Sequence, residues 1–344
     1  MYIIGTVGVN TRDKKILHGM IESGVNVIRL NSSHGSQEEF NKVLLDIREY
    51  KKNVHILQDL TGGKIRVSKK IKNVIRVVDK EEIIFCGEDI YNNFVSSKKV
   101  IPVNISNKVL LNSNIEKISM KDNTMRFKIK SKSKNGIIVE VIRGGVVRGD
   151  KGCNFKGINR KSILSNKDKR DLDWSINNSV DIVCQSFVES KEDIYNILRY
   201  INKRNHKFKP KIWAKIESSN GVKNILEIIK IVDGIVIGRG DLVPETSLIM
   251  TPILQEKIIK IAKENNKDIV LGTHIFDSMK NGRDPDLVEV ESIYNNIKKG
   301  VNGFLLAGET SVGKKPLETV RFLNTLIRRY IWRKKIKRLY HYYG

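Results

Sequence analysis

The sequence has no apolar run approaching the roughly 18 residues that cross a bilayer as a helix. A membrane partner is therefore not expected. It opens without a secretory leader, because Tyr2-Ile3-Ile4-Gly5 already reads as a strand. It has only three cysteines, Cys86, Cys153 and Cys184, set far apart and without a Cys-x-x-Cys pair. That argues against a disulfide scaffold or zinc site and for reduced thiols in a cytoplasmic protein. No zinc-finger or RNP signature is present, so nucleic acid is not an expected partner. No repeat of roughly 20–50 residues appears, which argues against a solenoid. Acidic residues are scarce beside basic ones: 38 against 63, a formal net charge of +25. A basic surface can attract nucleic acid, anionic membranes or anionic metabolites. Here the basic residues are spread along the whole chain, as a lysine-rich composition spreads them over exposed positions. The stretch Arg328–Tyr343 is basic and interleaved with Tyr330, Trp332, Tyr340, Tyr342 and Tyr343. It reads as an extended final helix with a solvated face.

The 344 residues suffice for a large barrel plus a smaller module. Apolar strands alternate with amphipathic helices. Strands are expected at 2–7, 25–30, 54–60, 181–187, 211–216, 234–237, 268–272 and 303–306. A helix is expected after each, and eight strand–helix units close a parallel barrel. Ser36 and Glu39 are spaced as a capping box. Gly24 and Gly300 are placed to end helices. Thr251 is expected to cap a helix with Pro252 at its first position. Residues 67–157 break the alternation. Short β-rich runs at 74–78, 83–85, 109–111, 124–129 and 136–142 are separated by turn signals at Asp122-Asn123 and Asn135-Gly136. The expected architecture is a (β/α)8 TIM barrel, 1–66 and 158–344, with an antiparallel β-barrel domain, 67–157, inserted after the third strand.

A barrel of this kind carries its chemistry at the C-terminal ends of its strands. Charged and polar residues recur there: Arg29, Asn31 and Ser33; Asp59, Lys64 and Arg66; Lys215 and Glu217; Arg239 and Asp241; Thr273; Glu309. One such residue is ordinarily a solvated loop residue, but six strand ends converge on one mouth. Glu217 and Asp241 are hard oxygen ligands of the type Mg2+ or Mn2+ takes. Lys215 and Arg29 are cations able to hold a phosphoryl group and stabilise its charge in transfer. The backbone of 238–241 (Gly-Arg-Gly-Asp) offers N–H groups to an anion. Residues 308–315 imitate a P-loop but place Lys315 where a metal-binding Ser or Thr belongs, and Gly238-Arg239-Gly240 is too short for a dinucleotide fingerprint.

At these residues the chain resembles the pyruvate kinase family. Residues 29–35 (Arg-Leu-Asn-Ser-Ser-His-Gly) resemble its R-L-N-F-S-H-G. Residues 58–66 resemble D-L-x-G-P-K-I-R. Residues 214–217 match A-K-I-E, 238–242 approach A-R-G-D-L, and 308–310 match G-E-T. The resemblance runs from residue 3 to about 330 and includes the insertion. It implies a metal-dependent phosphotransferase acting on phosphoenolpyruvate or a close analogue with ADP/ATP, with Mg2+ or Mn2+ as cofactor. Lys215, Arg29 and Thr273 would be catalytic. Gly240, Asp241, Thr273 and Arg29 would bind substrate, and Glu217 and Asp241 the metal. Asn31, His34, Arg66 and Lys151 would contact the nucleotide. Asn31, Ser33 and Asp59 match a monovalent-cation site, while Lys64 stands where potassium-independent members carry lysine, so K+ is not expected to be required. The insertion would close as a lid.

The departures lie at the pocket edges: Val9 and Gly63 for prolines, Val243-Pro244 for Gly-Val, His274 for glutamine, Ala307 for serine, and Pro285-Asp286-Leu287-Val288-Glu289 for Pro-Thr-Arg-Ala-Glu. The sequence ends after the eighth helix, without the family's C-terminal regulatory region, so activation by sugar phosphates acting through that region is not expected. Two other readings stay open: a non-catalytic metabolite-binding or partner-binding relative, and a metal-dependent aldolase or lyase. Association of copies through the barrel also stays open.

Overall fold

The structure, a computed structural model, describes residues 1–342 except 51, 52, 122, 159, 161, 163, 205 and 206, and residues 332–342 by backbone alone. Contacts divide it into two units: Met1–Gly62, Leu164–Arg239 and Pro252–Gly344 in the first; Gly63–Ile163 and Gly240–Thr251 in the second. Placing 240–251 with the insertion departs from the sequence reading, which left that segment in the barrel.

The first unit contains a closed barrel. Its strands are β1 (Tyr2–Thr6), β2 (Val27–Asn31) and β3 (His55–Leu60), followed after the insertion by β12 (Ile182–Gln185), β13 (Lys211–Ile216), β14 (Gly234–Gly238), β15 (Asp268–Gly272) and β16 (Gly303–Leu306). All eight pair in parallel around the ring β1-β16-β15-β14-β13-β12-β3-β2. The strands are buried, near-continuous apolar runs, as a parallel sheet covered by helices requires. Ile4, Val27, Leu57, Cys184, Trp213, Val236, Val270 and Leu305 pack in one core cluster. Trp213 meets Tyr2 edge-on, centroids 5.3 Å apart.

The barrel floor has a repeated device. Four strands follow a buried valine and an Asx residue: Val25-Asn26, Val180-Asp181, Val232-Asp233 and Val301-Asn302. Each Asx side chain accepts the backbone N–H of the neighbouring strand: Ile3 at 2.9 Å, Ile56 at 2.7 Å, Ile212 at 2.7 Å and Ile269 at 2.5 Å. Amides that would otherwise be unpaired at the strand starts are thereby satisfied.

The outer helices follow the capping signals. The helix Gln37–Glu49 has the Ser36/Glu39 capping box and buries Phe40, Val43, Leu44 and Ile47. The helix Lys14–Ser23 ends at Gly24, and Leu287–Lys299 at Gly300, both with positive φ. Thr251 is not a cap. The helix Met250–Glu264 starts earlier, where the Ser247 hydroxyl accepts Met250 N–H at 3.1 Å and the Thr251 hydroxyl turns back to Ser247 O. The last helix spans Pro316–Tyr342. The side chains of its basic, aromatic end from 332 on, and Tyr343, lie outside the described residues.

The insertion carries β4 (Ile75–Val77), β5 (Glu82–Gly87), β6 (Val100–Val103), β7 (Lys117–Met120), β8 (Met125–Ser133), β9 (Gly136–Arg143), β10 (Gly145–Val147) and β11 (Cys153–Lys156). They form a six-stranded sheet, β11-β7-β8-β9-β5-β6, and a two-stranded one, β10-β4. Pairing is antiparallel except for β5 with β6. Phe85 lies at the centre of the insertion's own core, edge-on to Phe127 and Phe155. Residues 109–111, expected as strand, belong to the helix Asn107–Asn112. The Ser106 hydroxyl caps it and the Ser113 hydroxyl closes it on Val109 O. Of the Asp122-Asn123 turn, Asp122 lies outside the described residues; Asn123 takes a positive φ of 70°.

Candidate active site

In the first unit, four charged side chains from three strand ends form one buried cluster. Arg29 of β2 clamps Asp59 of β3, with Nε 2.8 Å and the guanidinium 2.6 Å from Oδ2. Its other arm donates to the Thr6 hydroxyl at 3.0 Å. Lys215 on β13 reaches the same Asp59 oxygen at 3.2 Å and Glu217 Oε1 at 3.2 Å. Lys215 and Glu217 share a face because they are two residues apart at a strand end. Glu217 Oε2 accepts the Phe187 backbone N–H at 3.0 Å. Ser186, just past β12, donates to Asp59 Oδ1 at 2.9 Å and meets Lys215 Nζ at 3.3 Å.

Two cations and two carboxylates balance one another out of water, and the ionisation of Asp59 and Lys215 follows. Burial pushes the Asp59 carboxyl up, but Lys215 and Arg29 outweigh it and hold it below the usual carboxylate range. Burial pulls Lys215 down, but Asp59 and Glu217 outweigh it and raise the ammonium above its ordinary value. The lysine is therefore charged throughout the physiological range. Gly238 makes room for this group: a Cβ there would stand 2.6 Å from Glu217 Cγ and Oε1.

Thr273 follows β15 in an unusual conformation. Thr273 and His274 both have positive φ, 70° and 55°, a strained state for a β-branched residue. Arg239 holds the turn: its guanidinium donates to Thr273 O at 3.0 and 2.8 Å and to His274 O at 2.7 Å. Glu309 closes it from β16's side, accepting the N–H groups of Ile275 and Phe276. Arg239 and Glu309, seen in the sequence as mouth residues, thus brace Thr273. The Asn31 side chain accepts Ser33 N–H at 3.1 Å, and His34 N–H bonds Asn31 O, which shapes the loop after β2.

The second unit holds another polar group. The helix Arg239–Glu245 begins directly after β14 and carries Asp241 and Glu245 on one face, four residues apart. This helix is not expected from the sequence, because a proline at 244 argues locally against one. Lys64 Nζ lies 2.7 and 3.0 Å from the two Asp241 oxygens. Asn154 of β11 donates to Asp241 at 3.3 Å and Glu245 at 3.2 Å, and Arg160 pairs with Glu245 at 3.1 Å. Arg66 is buried and donates to Asp150 O at 2.8 Å, while Lys151 is exposed. The sequence reading missed Ser186, Asn154, Glu245 and Arg160. Ser186 was within reach of the strand-end rule. Asn154 was not, because it comes from a strand of the insertion.

The family model for the barrel domain of pyruvate kinase matches residues 1–320. A pyruvate kinase of Clostridium perfringens is 31% identical over 336 residues, covering 95% of this chain and 69% of that protein. One from Thermotoga maritima is 31% identical over 330 residues, covering 94% and 69%. One from Geobacillus stearothermophilus is 29% identical over 334 residues, covering 94% and 56%.

Proposed function

Because this chain belongs to the pyruvate kinase family, a family of phosphotransferases, we propose that it moves a phosphoryl group between phosphoenolpyruvate, or a close analogue, and a nucleotide. The observation that supports this most is the buried cluster of Arg29, Asp59, Lys215 and Glu217. Phosphoryl transfer asks for positioning and for charge placed where negative charge gathers. Lys215 and Arg29 are fixed, desolvated cations held by carboxylates, and those carboxylates keep Lys215 charged. Such preorganised charge stabilises a transferring group without rearrangement.

Glu217 and Asp241 are the carboxylates we assign to a divalent ion, Mg2+ or Mn2+. Both are hard oxygen donors, and Gly238 leaves the Glu217 carboxylate the space a side chain would take. Bound there, the ion would supply Lewis-acid neutralisation of phosphoryl oxygens. The backbone of Gly240 and Asp241 and the Thr273 hydroxyl are assigned to the substrate carboxylate. The braced turn at 273–274 supports a fixed role for Thr273. Asn31, His34, Arg66 and Lys151 are assigned to the nucleotide. Asn31, Ser33 and Asp59 correspond to a monovalent-cation site, and the ammonium of Lys64 supports turnover without potassium.

The test is pyruvate formation from phosphoenolpyruvate, ADP and Mg2+ by the purified chain. Turnover should require the divalent ion and be nearly equal with and without potassium. A folded protein that forms no pyruvate overturns the reading. A strong, saturable potassium requirement overturns the role given to Lys64.

A further inference from the structure

Lys64 does more than carry a charge. Its Nζ is 2.7 Å from one Asp241 oxygen and 3.0 Å from the other, so one ammonium spans the whole carboxylate. Both partners are largely shielded from water, with side chains 23% and 16% exposed. The neighbouring carboxylate, Glu245, has its own cation in Arg160. Asn154 bridges the two acids and holds Asp241 in place for the lysine. The path of Lys64 depends on a missing side chain. A Cβ on Gly152 would lie 2.7 Å from Lys64 Cε and 3.4 Å from Nζ. The glycine is a channel for the lysine stem.

From this geometry we infer that Lys64 is a built-in competitor for the divalent cation at Asp241. The oxygens that a metal would take are the ones the ammonium spans, and both cannot be satisfied at once. Metal binding therefore includes displacing Lys64, and the apparent affinity is lower than the carboxylate alone would give, in proportion to the fraction of molecules with the lysine withdrawn. The inference rests on the assignment of Asp241 to the metal. It goes beyond potassium independence, which concerns only the charge of Lys64.

Mn2+ binding to the substrate-free protein, read by the electron paramagnetic resonance of free Mn2+, tests it with three variants. Asp241→Asn should weaken binding by about tenfold or more. Lys64→Met should tighten it by about tenfold. Gly152→Ala leaves every charge in the protein and moves only the flexible end of Lys64, so it should tighten binding by about threefold on the same competition. If Asp241→Asn binds Mn2+ like the parent, the metal assignment fails and the inference with it. If Asp241→Asn weakens binding but Lys64→Met does not tighten it, the assignment stands and the competition is refuted. If Lys64→Met tightens binding and Gly152→Ala does not, the effect is one of overall charge, and the competition is again refuted.

Discussion

Lys215 shows how one residue serves two ends. It bridges Asp59 and Glu217 and is nearly buried. Lys215→Met should lower kcat and kcat/KM together by at least ~100-fold, because a preorganised cation acts chiefly in the transition state. It should also cost about 3 kcal/mol of stability, since two buried carboxylates lose a partner. Arg29 still holds Asp59, and Phe187 N–H still holds Glu217, so the variant should fold. Turnover and chemical unfolding on one sample check both. A stable, fully active variant would contradict the role. The pH dependence of stability follows from the same cluster. The folded Asp59 carboxyl lies below its ordinary value, so its contribution is complete above the ordinary aspartate range of about 4 and drains away as pH falls through the lower folded value. The folded Lys215 ammonium lies above its ordinary value, so its contribution holds below about 10 and is lost only as pH rises through the higher folded value. Asp59→Asn should therefore flatten the acid limb of melting temperature against pH. Superimposable acid limbs would refute this. At this scale the sequence was most informative where a strand end carries a charge, as with Arg29, Lys215 and Glu217. It could not pair them, since Arg29 and Asp59 meet only when β2 and β3 pair across the helix between them.

At the scale of elements, the Asx residues of the barrel floor are the clearest link from sequence to stability. Asp233 accepts Ile212 N–H at 2.7 Å at the start of a buried strand. Asp233→Ala leaves that amide without its partner and should cost about 1–3 kcal/mol. The urea midpoint should drop with an unchanged slope. A midpoint equal to the parent's would show that water replaces the carboxylate there. The barrel strands and several capped helices were legible because apolar runs and caps are local signals. Residues 109–111 were misread because three apolar residues fit a strand as well as a helix, and Ser106 and Ser113 decide the matter. The helix Arg239–Glu245 was missed because its proline argues locally for a break, while Lys64, Asn154 and Arg160 hold its acids from segments distant in sequence.

At the scale of the whole molecule, alternation of strand and helix and its interruption were readable from patterning alone. The grouping of 240–251 with the insertion was not, because it depends on contacts made after folding. The interruption also sets a kinetic problem. β3 and β12 are neighbours in the barrel, Leu57 beside Ile182, with the entire insertion between them in sequence. Thr61 and Gly62 N–H groups meet Asp168 where the chain leaves and returns. Closing a loop of that length as random coil costs about 2–3 kcal/mol more than closing a short one. If the insertion collapses first on its Phe85 core, it becomes a rigid clip with its two ends already near each other, and barrel closure is spared most of that entropy. Phe85→Ala should then slow refolding of a barrel it does not belong to. Tryptophan fluorescence can follow this cleanly, since Trp174, Trp213 and Trp332 all lie outside the insertion. An unchanged refolding rate would mean that the barrel closes around an unfolded loop. The order of assembly is thus written into the place where the second module interrupts the first.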